Sequence, residues 1–257
     1  TAQAVDTFPN YDFHSSVTLT HTFEIEARNL ADFGFVWRAP DAVKTNDGTY
    51  DVYTYEYSGG AVAPVPYTQN NIQFDTVIYT YAGGVKGQRV GAITEIGEYI
   101  ITITPKNPNY AVPAGLDTVR VTVTARTVKV VWSTDSLVYN GSAQAPAAQY
   151  TDVDGNVIIL SVSGAMTDAG KNYTATASFV GTAPKNYVLD TSTLTKTFDI
   201  AKLEIPVSWQ WSTEWANKRV TYDGQSHTPV PVIDTSVILS ADVTKLAFAY
   251  EITKTGM

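Results

Sequence analysis

The sequence has no cysteine, and this absence excludes several kinds of protein at once. Without thiols there can be no disulfide, no thiolate metal site and no cysteine nucleophile, so stability must come from burial of apolar side chains. Histidine is also scarce, with His14, His21 and His227 as its three occurrences. None of them stands in a pattern that pairs a nucleophile with a base, and we interpret them as solvated or strand-packed side chains. The sequence therefore predicts no catalytic residue.

Charge is sparse and mainly of one sign. Charged residues make up 16% of the chain, and 25 acidic against 17 basic side chains give a formal net charge of −8. An acidic surface repels phosphate groups and anionic lipid headgroups. The composition therefore disfavours nucleic acid and membrane surfaces as partners.

Long apolar runs are absent as well, since no stretch approaches the roughly 20 residues that a membrane-spanning helix needs. No charged-then-apolar leader opens the chain, and we expect it to be a segment of a longer protein. Hydrophobic residues nevertheless make up 44% of the sequence, which is enough for packed cores. The length of 257 residues exceeds that of one β-sandwich of about 100 residues, so two or three modules are expected.

An Asn-Tyr pair after a proline recurs, and each copy precedes a threonine-rich alternating run. The three pairs end at Tyr11, Tyr110 and Tyr187. The runs lie at 18–25, 119–124 and 193–200, and in the first of them Phe23 and Ile25 share one face with Leu19. Alternation of period two is typical of a half-buried strand. We predict that each run is the last strand of a module.

Two further landmarks recur between these runs. Tryptophan stands in short apolar runs at Trp37, Trp132 and Trp211, which we predict to be opening strands with the indole packed in the core. Turns follow at Tyr57 to Gly59, Tyr139 to Gly141 and Tyr222 to Gly224, each with a proline shortly after it. Asn-Gly and Asp-Gly favour the type I′ hairpin turn.

The landmarks divide the chain into four segments. Residues 1–27 would be the end of a preceding module, and 28–126 a complete module with an inserted hairpin at 47–55. Residues 127–201 would be a second module and 202–257 a partial third one. No segment of about ten residues has a helical period. The predicted fold class is all-β, with tandem immunoglobulin-like β-sandwich modules in an elongated array.

One set of motifs carries a family resemblance. It consists of Trp132-Ser133, Tyr139-Asn140-Gly141, Gln144-Ala145-Pro146, Gly164-Ala165, Asp168-Ala169-Gly170, Tyr173-Thr174-Ala175 and Asn186-Tyr187. Residues 127–201 resemble the MBG or YDG-type repeats of bacterial surface proteins, which are immunoglobulin-like modules in tandem. The resemblance extends loosely to 28–126, and to 202–231 through Tyr222-Asp223-Gly224-Gln225. It implies an extracellular location, structural roles for these landmark residues, and no cofactor.

Two acidic patterns could carry chemistry. Glu95 and Glu98 are the nearest pair of carboxylates for glycoside hydrolysis, but the aligned Asp168 and Lys171 do not preserve a pair. Asp152, Asp154 and Asn156 place oxygen atoms at alternate positions, as at the start of a calcium loop. The distal glutamate of such a loop is missing, so we favour a plain Asp-Gly hairpin turn and keep calcium as the weaker alternative.

Aromatic residues offer the main alternative function. The candidate binding residues are Tyr53, Tyr55, Tyr57 and Trp215. The three tyrosines share one strand face at period two, and Tyr79 and Tyr81 lie on another run. Cross-strand packing is the favoured interpretation of the tyrosine face, and a surface that stacks on sugars or on a partner protein is the alternative.

A covalent crosslink between a lysine and an acidic or amide side chain could also strengthen a cysteine-free module. Lys129 and Asp199 are the pair to inspect. Lys129 alternates out of phase with Val128 and Val130, which predicts that it faces solvent.

These observations predict a structural stalk or adhesin segment of a large bacterial cell-surface or secreted protein, which spaces or presents a binding region. One alternative is a module that binds glycan or a host or neighbouring cell-surface protein through the tyrosine face of the first module. Another is an accessory region of a larger secreted enzyme. The expected neighbours are modules of the same chain, with no membrane insertion in this segment.

Overall fold

A computed structural model of the chain describes residues 22–210, 222–225, 227, 229–247, 249 and 251. The regular structure in these residues is β-strand apart from single 3-10 turns, which confirms the all-β prediction. Nothing helical among them has the length and apolarity to span a bilayer. The chain divides after Arg126 into two compact units, and the second unit contains both of the predicted segments 127–201 and 202–257.

Ten strands are described in the first unit. They are β1 (Arg28–Asn29), β2 (Val36–Arg38), β3 (Val43–Asn46), β4 (Asp51–Glu56), β5 (Val65–Tyr67), β6 (Phe74–Ala82), β7 (Val85–Val90), β8 (Gly97–Pro105), β9 (Tyr110–Ala111) and β10 (Thr118–Thr124). Six of them form one sheet in the order β3-β4-β10-β8-β6-β7, and the pairs β1-β9 and β2-β5 form small separate sheets. β3 and β4 form a hairpin over 43–56, which begins four residues before the insertion predicted at 47–55.

The core of the first unit lies on one face of the six-stranded sheet. Alternation in β10 buries Val119, Val121 and Val123, while β8 contributes Ile101 and Ile103 to the same cluster. Every second residue of these strands therefore leaves water, and each fully buried branched side chain contributes about 1.5–3 kcal/mol of transfer free energy. The small sheets and the 3-10 turn over Leu30–Phe33 cover this face, and Leu30 is fully buried among them.

Eleven strands are described in the second unit, counting the one that begins at the boundary. They are β11 (Arg126–Val128), β12 (Val131–Trp132), β13 (Leu137–Val138), β14 (Ala148–Thr151), β15 (Val157–Ile159), β16 (Ser161–Ser163), β17 (Gly170–Ser178), β18 (Tyr187–Leu189), β19 (Thr195–Ala201), β20 (Val207–Gln210) and β21 (Val230–Ile233). The sheets are β13-β19-β17-β16, β12-β14-β15, β11-β18 and β20-β21. 3-10 turns lie at Thr191–Thr193, Thr235–Val237 and Val243–Lys245.

Two clusters of buried residues form the core of the second unit. One centres on Tyr150 and Leu160, and the other on Ala175, Phe198 and Ile200. The indole of Trp132 packs against both clusters and so joins them.

Both units contain the same arrangement of four strands. In the first unit β10 lies between β4, which is parallel to it, and β8, which is antiparallel and pairs in turn with β6. In the second unit β19 lies between the parallel β13 and the antiparallel β17, which pairs with β16. β10 and β19 are the strands that the sequence assigns to the end of each module.

The tryptophan landmarks occupy matching environments in the two units. The indole nitrogen of Trp37 donates a hydrogen bond to the carbonyl of Leu116, and that of Trp132 donates to the carbonyl of Thr193, both at 2.9 Å. Each acceptor stands two residues before the closing strand. Each tryptophan is also paired with the residue two positions after the proline that follows the tyrosine-glycine turn. Trp37 pairs with Pro66, two positions after Pro64, and Trp132 pairs with Ala148, two positions after Pro146.

Trp209 has the same strand pairing as the other two tryptophans. It pairs with Pro231, two positions after Pro229, but its side chain is 45% exposed. Trp211, the landmark predicted for the third copy, lies outside the described residues.

The tyrosine-glycine turns make the same backbone contact in both units. The amides of Tyr57 and Tyr139 donate to the last residue of their closing strands, Thr124 and Ala201, at 2.9 Å each. The glycine two residues later has a positive φ in all three copies: 79° at Gly59, 76° at Gly141 and 80° at Gly224. The prediction of a type I′ turn is wrong, because that turn needs two consecutive residues with positive φ and here the residue before each glycine has none.

The Asn-Tyr landmarks close a turn in both units. The amide of Tyr110 donates to the carbonyl of Asn107, and the amide of Tyr187 donates to that of Pro184. The strands that these tyrosines begin, β9 and β18, pair with the first strand of their unit, β1 and β11. Tyr11 lies outside the described residues.

The strand predicted at 18–25 is not found in its described part. Residues 22–27 form no strand, and Phe23 and Ile25 are 80% and 84% exposed. No described strand pairs with this segment, and an alternating sequence without a partner strand has no ladder of hydrogen bonds to hold it extended.

Candidate functional site

The tyrosines proposed from the sequence as a binding face lie in the core instead. Tyr53 and Tyr55 are 2% and 6% exposed, and Tyr57 packs half-buried against the same cluster. Burial raises the pKa of Tyr55 to about 12 and also raises the pKa of Tyr53. A binding surface made of these rings is therefore wrong, because β4 turns this face towards the sheets that cover it. Trp215 lies outside the described residues.

The possible calcium loop is a closed hairpin turn between β14 and β15. The Asp152 carboxylate accepts hydrogen bonds from the amides of Asp154 and Asn156 at 2.9 and 2.8 Å. The Asn156 side chain donates to it as well, and this bond is the first cause of the lowered pKa of Asp152. The Asp152 carboxylate therefore stabilises the turn through hydrogen bonds to its own residues. No group of three or more possible metal ligands occurs in the described part of the chain.

The residues considered for catalysis or for a covalent crosslink each contact a different partner. The Glu98 carboxylate pairs with Arg120 at 3.0 Å, while the carbonyl of Glu95 accepts from the Tyr99 hydroxyl. Asp199 accepts a hydrogen bond from the amide of Asn172. The side chain of Lys129 is exposed as predicted, and the carboxylate it influences is that of Asp190. His227 contacts Asp223 within its own turn, and His14 and His21 lie outside the described residues.

The outer face of the six-stranded sheet, opposite the core, carries an unusual row of side chains. The strand register aligns Thr45, Val52, Arg120, Ile100, Tyr79 and Arg89 across all six strands. Ile100 is 1% exposed although it points away from the core cluster, so its neighbours cover it. Tyr81 lies two residues after Tyr79 on the same face and pairs with Lys86. We call Tyr79, Tyr81, Lys86, Arg89 and Arg120 the tyrosine-cation face.

Cations lie over both tyrosine rings of this face. The ammonium of Lys86 is 5.6 Å from the centre of the Tyr79 ring, and the guanidinium of Arg120 is 4.8 Å from that of Tyr81. Such contacts are worth about 0.5–1 kcal/mol at exposed sites and orient the rings. Lys86 and Arg89 are exposed, and neither forms an ion pair with any described residue.

Arg120 is held in a different way, because two carboxylates neutralise it. Its guanidinium pairs with Asp47, on the turn of the β3-β4 hairpin, and with Glu98 on β8. Hydrogen bonds from the amides of Tyr50 and Thr49, followed by that from Arg120, lower the pKa of Asp47 to about 2. Arg120 therefore fastens the inserted hairpin to the sheet, while Lys86 and Arg89 keep their charge available to solvent.

The corresponding face of the second unit has none of these side chains. On β16, β17 and β19 the outward residues are Ser161, Ser163, Thr174, Thr176, Ser178, Thr195, Thr197 and Asp199, all exposed. The pair Ile100 and Arg120 of the first unit corresponds by register to Thr174 and Thr197. The four-strand arrangement forms with a serine and threonine face, so the fold alone does not require aromatic and cationic residues there.

A cleft of about 330 Å³ lies in the second unit beside the turn at Tyr139. The Tyr139 hydroxyl donates to the Asp242 carboxylate at 2.6 Å, and this bond raises the pKa of Tyr139 and lowers that of Asp242. Leu239 packs closely over Gly141. The segment 235–246 thus rests on the landmark turn, with Lys245 paired to Asp242. Six of its eleven lining residues are apolar, among them Leu203, Ile205 and Leu246.

No protein-family model matches the chain, and no curated protein does. The resemblance to MBG or YDG-type repeats therefore stays a prediction.

Sequence reasoning missed the tyrosine-cation face for a physical reason. Tyr79 and Tyr81 were visible as a period-two pair, but the pattern does not reveal which face of a strand is covered. Arg89 pairs directly with Tyr79, but Lys86 pairs with Tyr81 only through the bulge between β6 and β7, where the register shifts between Tyr79 and Tyr81.

Proposed function

We propose that the chain is a structural segment of a large bacterial cell-surface or secreted protein, built from tandem immunoglobulin-like modules that space or present a binding region. The observation that carries the proposal is the recurrence of one four-strand arrangement with the same landmark contacts in both units. Matching indole-to-carbonyl bonds at Trp37 and Trp132 favour repetition of one module over a single enzyme with one cleft.

A further contact supports the immunoglobulin-like assignment. The Tyr99 hydroxyl donates to the carbonyl of Glu95 at 3.0 Å, and the Tyr173 hydroxyl donates to that of Asp168 at 3.2 Å. In immunoglobulin sandwiches a tyrosine at this corner bonds back to the backbone a few residues upstream. The second copy has one residue more, which Asn172 accommodates in a β-bulge with a φ of 59°.

The connection between the units supports a spacing role. β10 ends at Thr124 and β11 begins at Arg126, so Ala125 alone separates the two strands. A linker of one residue leaves few backbone torsions to vary, and successive modules would then keep a restricted orientation.

Small-angle X-ray scattering of the full chain tests this role. We expect an extended particle, and a matched variant with a flexible Gly-Ser linker of about ten residues inserted after Ala125 should show a broader distribution of distances. A compact globule for the native chain, or identical profiles for the two proteins, would contradict a spacing function. Antibody labelling of intact cells would test the surface location separately.

Of the two alternative functions, the buried tyrosines argue against one and leave the other open. Binding through Tyr53, Tyr55 and Tyr57 loses its basis, since these rings are buried or half-buried. An accessory role in a larger secreted enzyme is compatible with the same modules. It predicts that a catalytic domain lies elsewhere in the longer protein, and the full-length sequence would decide this.

A further inference from the structure

We propose that the tyrosine-cation face of the first unit binds an anionic polysaccharide that carries carboxylates, such as a polyuronate. Tyr79 and Tyr81 would contact sugar rings, and Lys86 and Arg89 would pair with the carboxylates. This binding activity goes beyond the spacing role and does not depend on it.

The geometry of the face suits a chain of sugars. Tyr79 and Tyr81 are two residues apart on one strand, which places their Cα atoms roughly 6–7 Å apart along the strand direction. Lys86 and Arg120 lie over one side of these rings, and the opposite side of each ring can contact successive sugars of an extended polymer. Ile100, which pairs with Tyr79 on the neighbouring strand, is buried.

The two exposed cationic side chains of the face indicate a negatively charged ligand. Lys86 and Arg89 both lie on the edge strand β7 next to the tyrosines, and both lack a carboxylate partner among the described residues. Arg120, in the centre of the face, is neutralised by Asp47 and Glu98. The free positive charge is therefore concentrated along one side of the tyrosines, where ligand carboxylates could reach it while the sugar rings lie over the sheet.

The net charge of the chain is −8, so an anionic polymer meets general repulsion and needs this local pair of cations to bind. Salt screens both the general repulsion and the local attraction, but the attraction of Lys86 and Arg89 acts at shorter range and is screened less. The second unit provides an internal comparison, because the paired outward positions of β16, β17 and β19 carry serine, threonine and Asp199, with Lys171 and Asn172 in the bulge opposite Asp199.

An extended peptide added to the sheet edge is a poorer fit. β7 pairs with β6 through a bulge, and the amide of Gln88 donates to the Thr80 hydroxyl at 3.0 Å. A bulged edge with two cations is a feature that blocks strand addition. The edge thus disfavours peptide pairing, while the neighbouring face stays open.

The test uses the full chain and polygalacturonate oligomers, with binding measured by isothermal titration calorimetry at low and physiological salt. The double variant Lys86→Gln with Arg89→Gln should bind about two- to thirtyfold more weakly, as expected from the loss of two exposed ion pairs of roughly 0.2–1 kcal/mol each. The variant Tyr79→Leu keeps a cover over Ile100 and should also weaken binding. The matched control Lys171→Gln with Lys185→Gln removes the same charge from exposed sites of the second unit and should bind as the native chain does.

Four outcomes would overturn the proposal. Two concern the polyuronate, namely no binding by the native chain and an equal loss of binding in the control variant. The third is equal binding of polyglutamate, which would mean that charge alone is recognised, and the fourth is tighter binding of a neutral glucan than of the polyuronate. Because Lys86 and Arg89 are exposed, calorimetric unfolding of the double variant should stay cooperative and lose no more than the roughly 0.5–1 kcal/mol of the Lys86–Tyr79 contact, which would exclude a folding defect.

Discussion

Removal of the side-chain hydroxyl should have opposite effects on stability at two buried tyrosines of the first unit, Tyr55 and Tyr99. The Tyr55 hydroxyl is buried and has no hydrogen-bond partner among the described residues, whereas the Tyr99 hydroxyl donates to the carbonyl of Glu95 at 3.0 Å. Both side chains are nearly inaccessible, with 6% and 7% exposure. Substitution by phenylalanine keeps the ring and its packing, so the hydroxyl alone is tested.

The expected magnitudes follow from the state of each hydroxyl. An unsatisfied buried polar group costs about 1–3 kcal/mol of desolvation free energy, so Tyr55→Phe should raise the free energy of unfolding by about 1 kcal/mol. Tyr99→Phe loses a hydrogen bond worth about 0.5–1.5 kcal/mol and should lower it by a similar amount. For a domain of about 100 residues, 1 kcal/mol shifts the melting temperature by roughly 4–8 °C.

Differential scanning calorimetry of the full chain measures both effects. Tyr173→Phe is the matched control, because it removes the equivalent hydroxyl from the second unit and should shift only the transition of that unit. Destabilisation by Tyr55→Phe would refute the reasoning, since it would mean that the hydroxyl has a partner after all. Equal shifts for the Tyr55 and Tyr99 variants would refute it in the same way.

Other predictions concern single contacts. The pKa of Asp47 is lowered from 3.8 to about 2, so its contribution to stability is present above about pH 4 and is lost as the pH falls towards 2. Urea titrations should therefore show Asp47→Asn less stable than the native chain at pH 6 and equally stable near pH 2. Trp132→Phe removes the hydrogen bond to Thr193 and should lower the melting temperature of the second unit only, by the equivalent of about 1 kcal/mol in calorimetry. Gly141→Ala would strain a residue with a φ of 76° and place Cβ 2.5 Å from a methyl group of Leu239, so hydrogen exchange should accelerate over 235–246 while the first unit is unchanged.

Much of the strand order was predictable because β-strands leave a strong local signal. The alternation in β10 and β19 identifies both as half-buried strands, and the glycine after each landmark tyrosine marks a turn that needs positive φ. The hairpin of β3 and β4 was visible only in part. Asp47-Gly48 marks its turn, but β4 corresponds to β13 of the second unit, so the additional elements are β3 and the turn and not the whole of 47–55. These features depend on residues that are neighbours in the chain.

Other features depend on partners far away in the sequence and were not predictable. The pattern of Tyr53 and Tyr55 shows that they share a face, but their burial depends on which side of the sheet the small sheets cover. Arg120 meets Asp47 across 73 positions of sequence, and no local pattern indicates that contact. The pairing of Trp209 with Pro231 depends on strand register in the same way.

The position of the closing strands constrains the order in which each unit can form. β10 lies between β4 and β8, and β19 lies between β13 and β17, so in both four-strand arrangements a central strand is the last of the four to leave the ribosome. Until it arrives, the strands that will flank it have no common partner, and the sheet is divided into two parts of one to three strands, which are marginally stable in water. Each unit would therefore complete its fold in a single late step during biosynthesis. A chain interrupted before residue 118 or before residue 195 should leave the corresponding unit open to proteolysis.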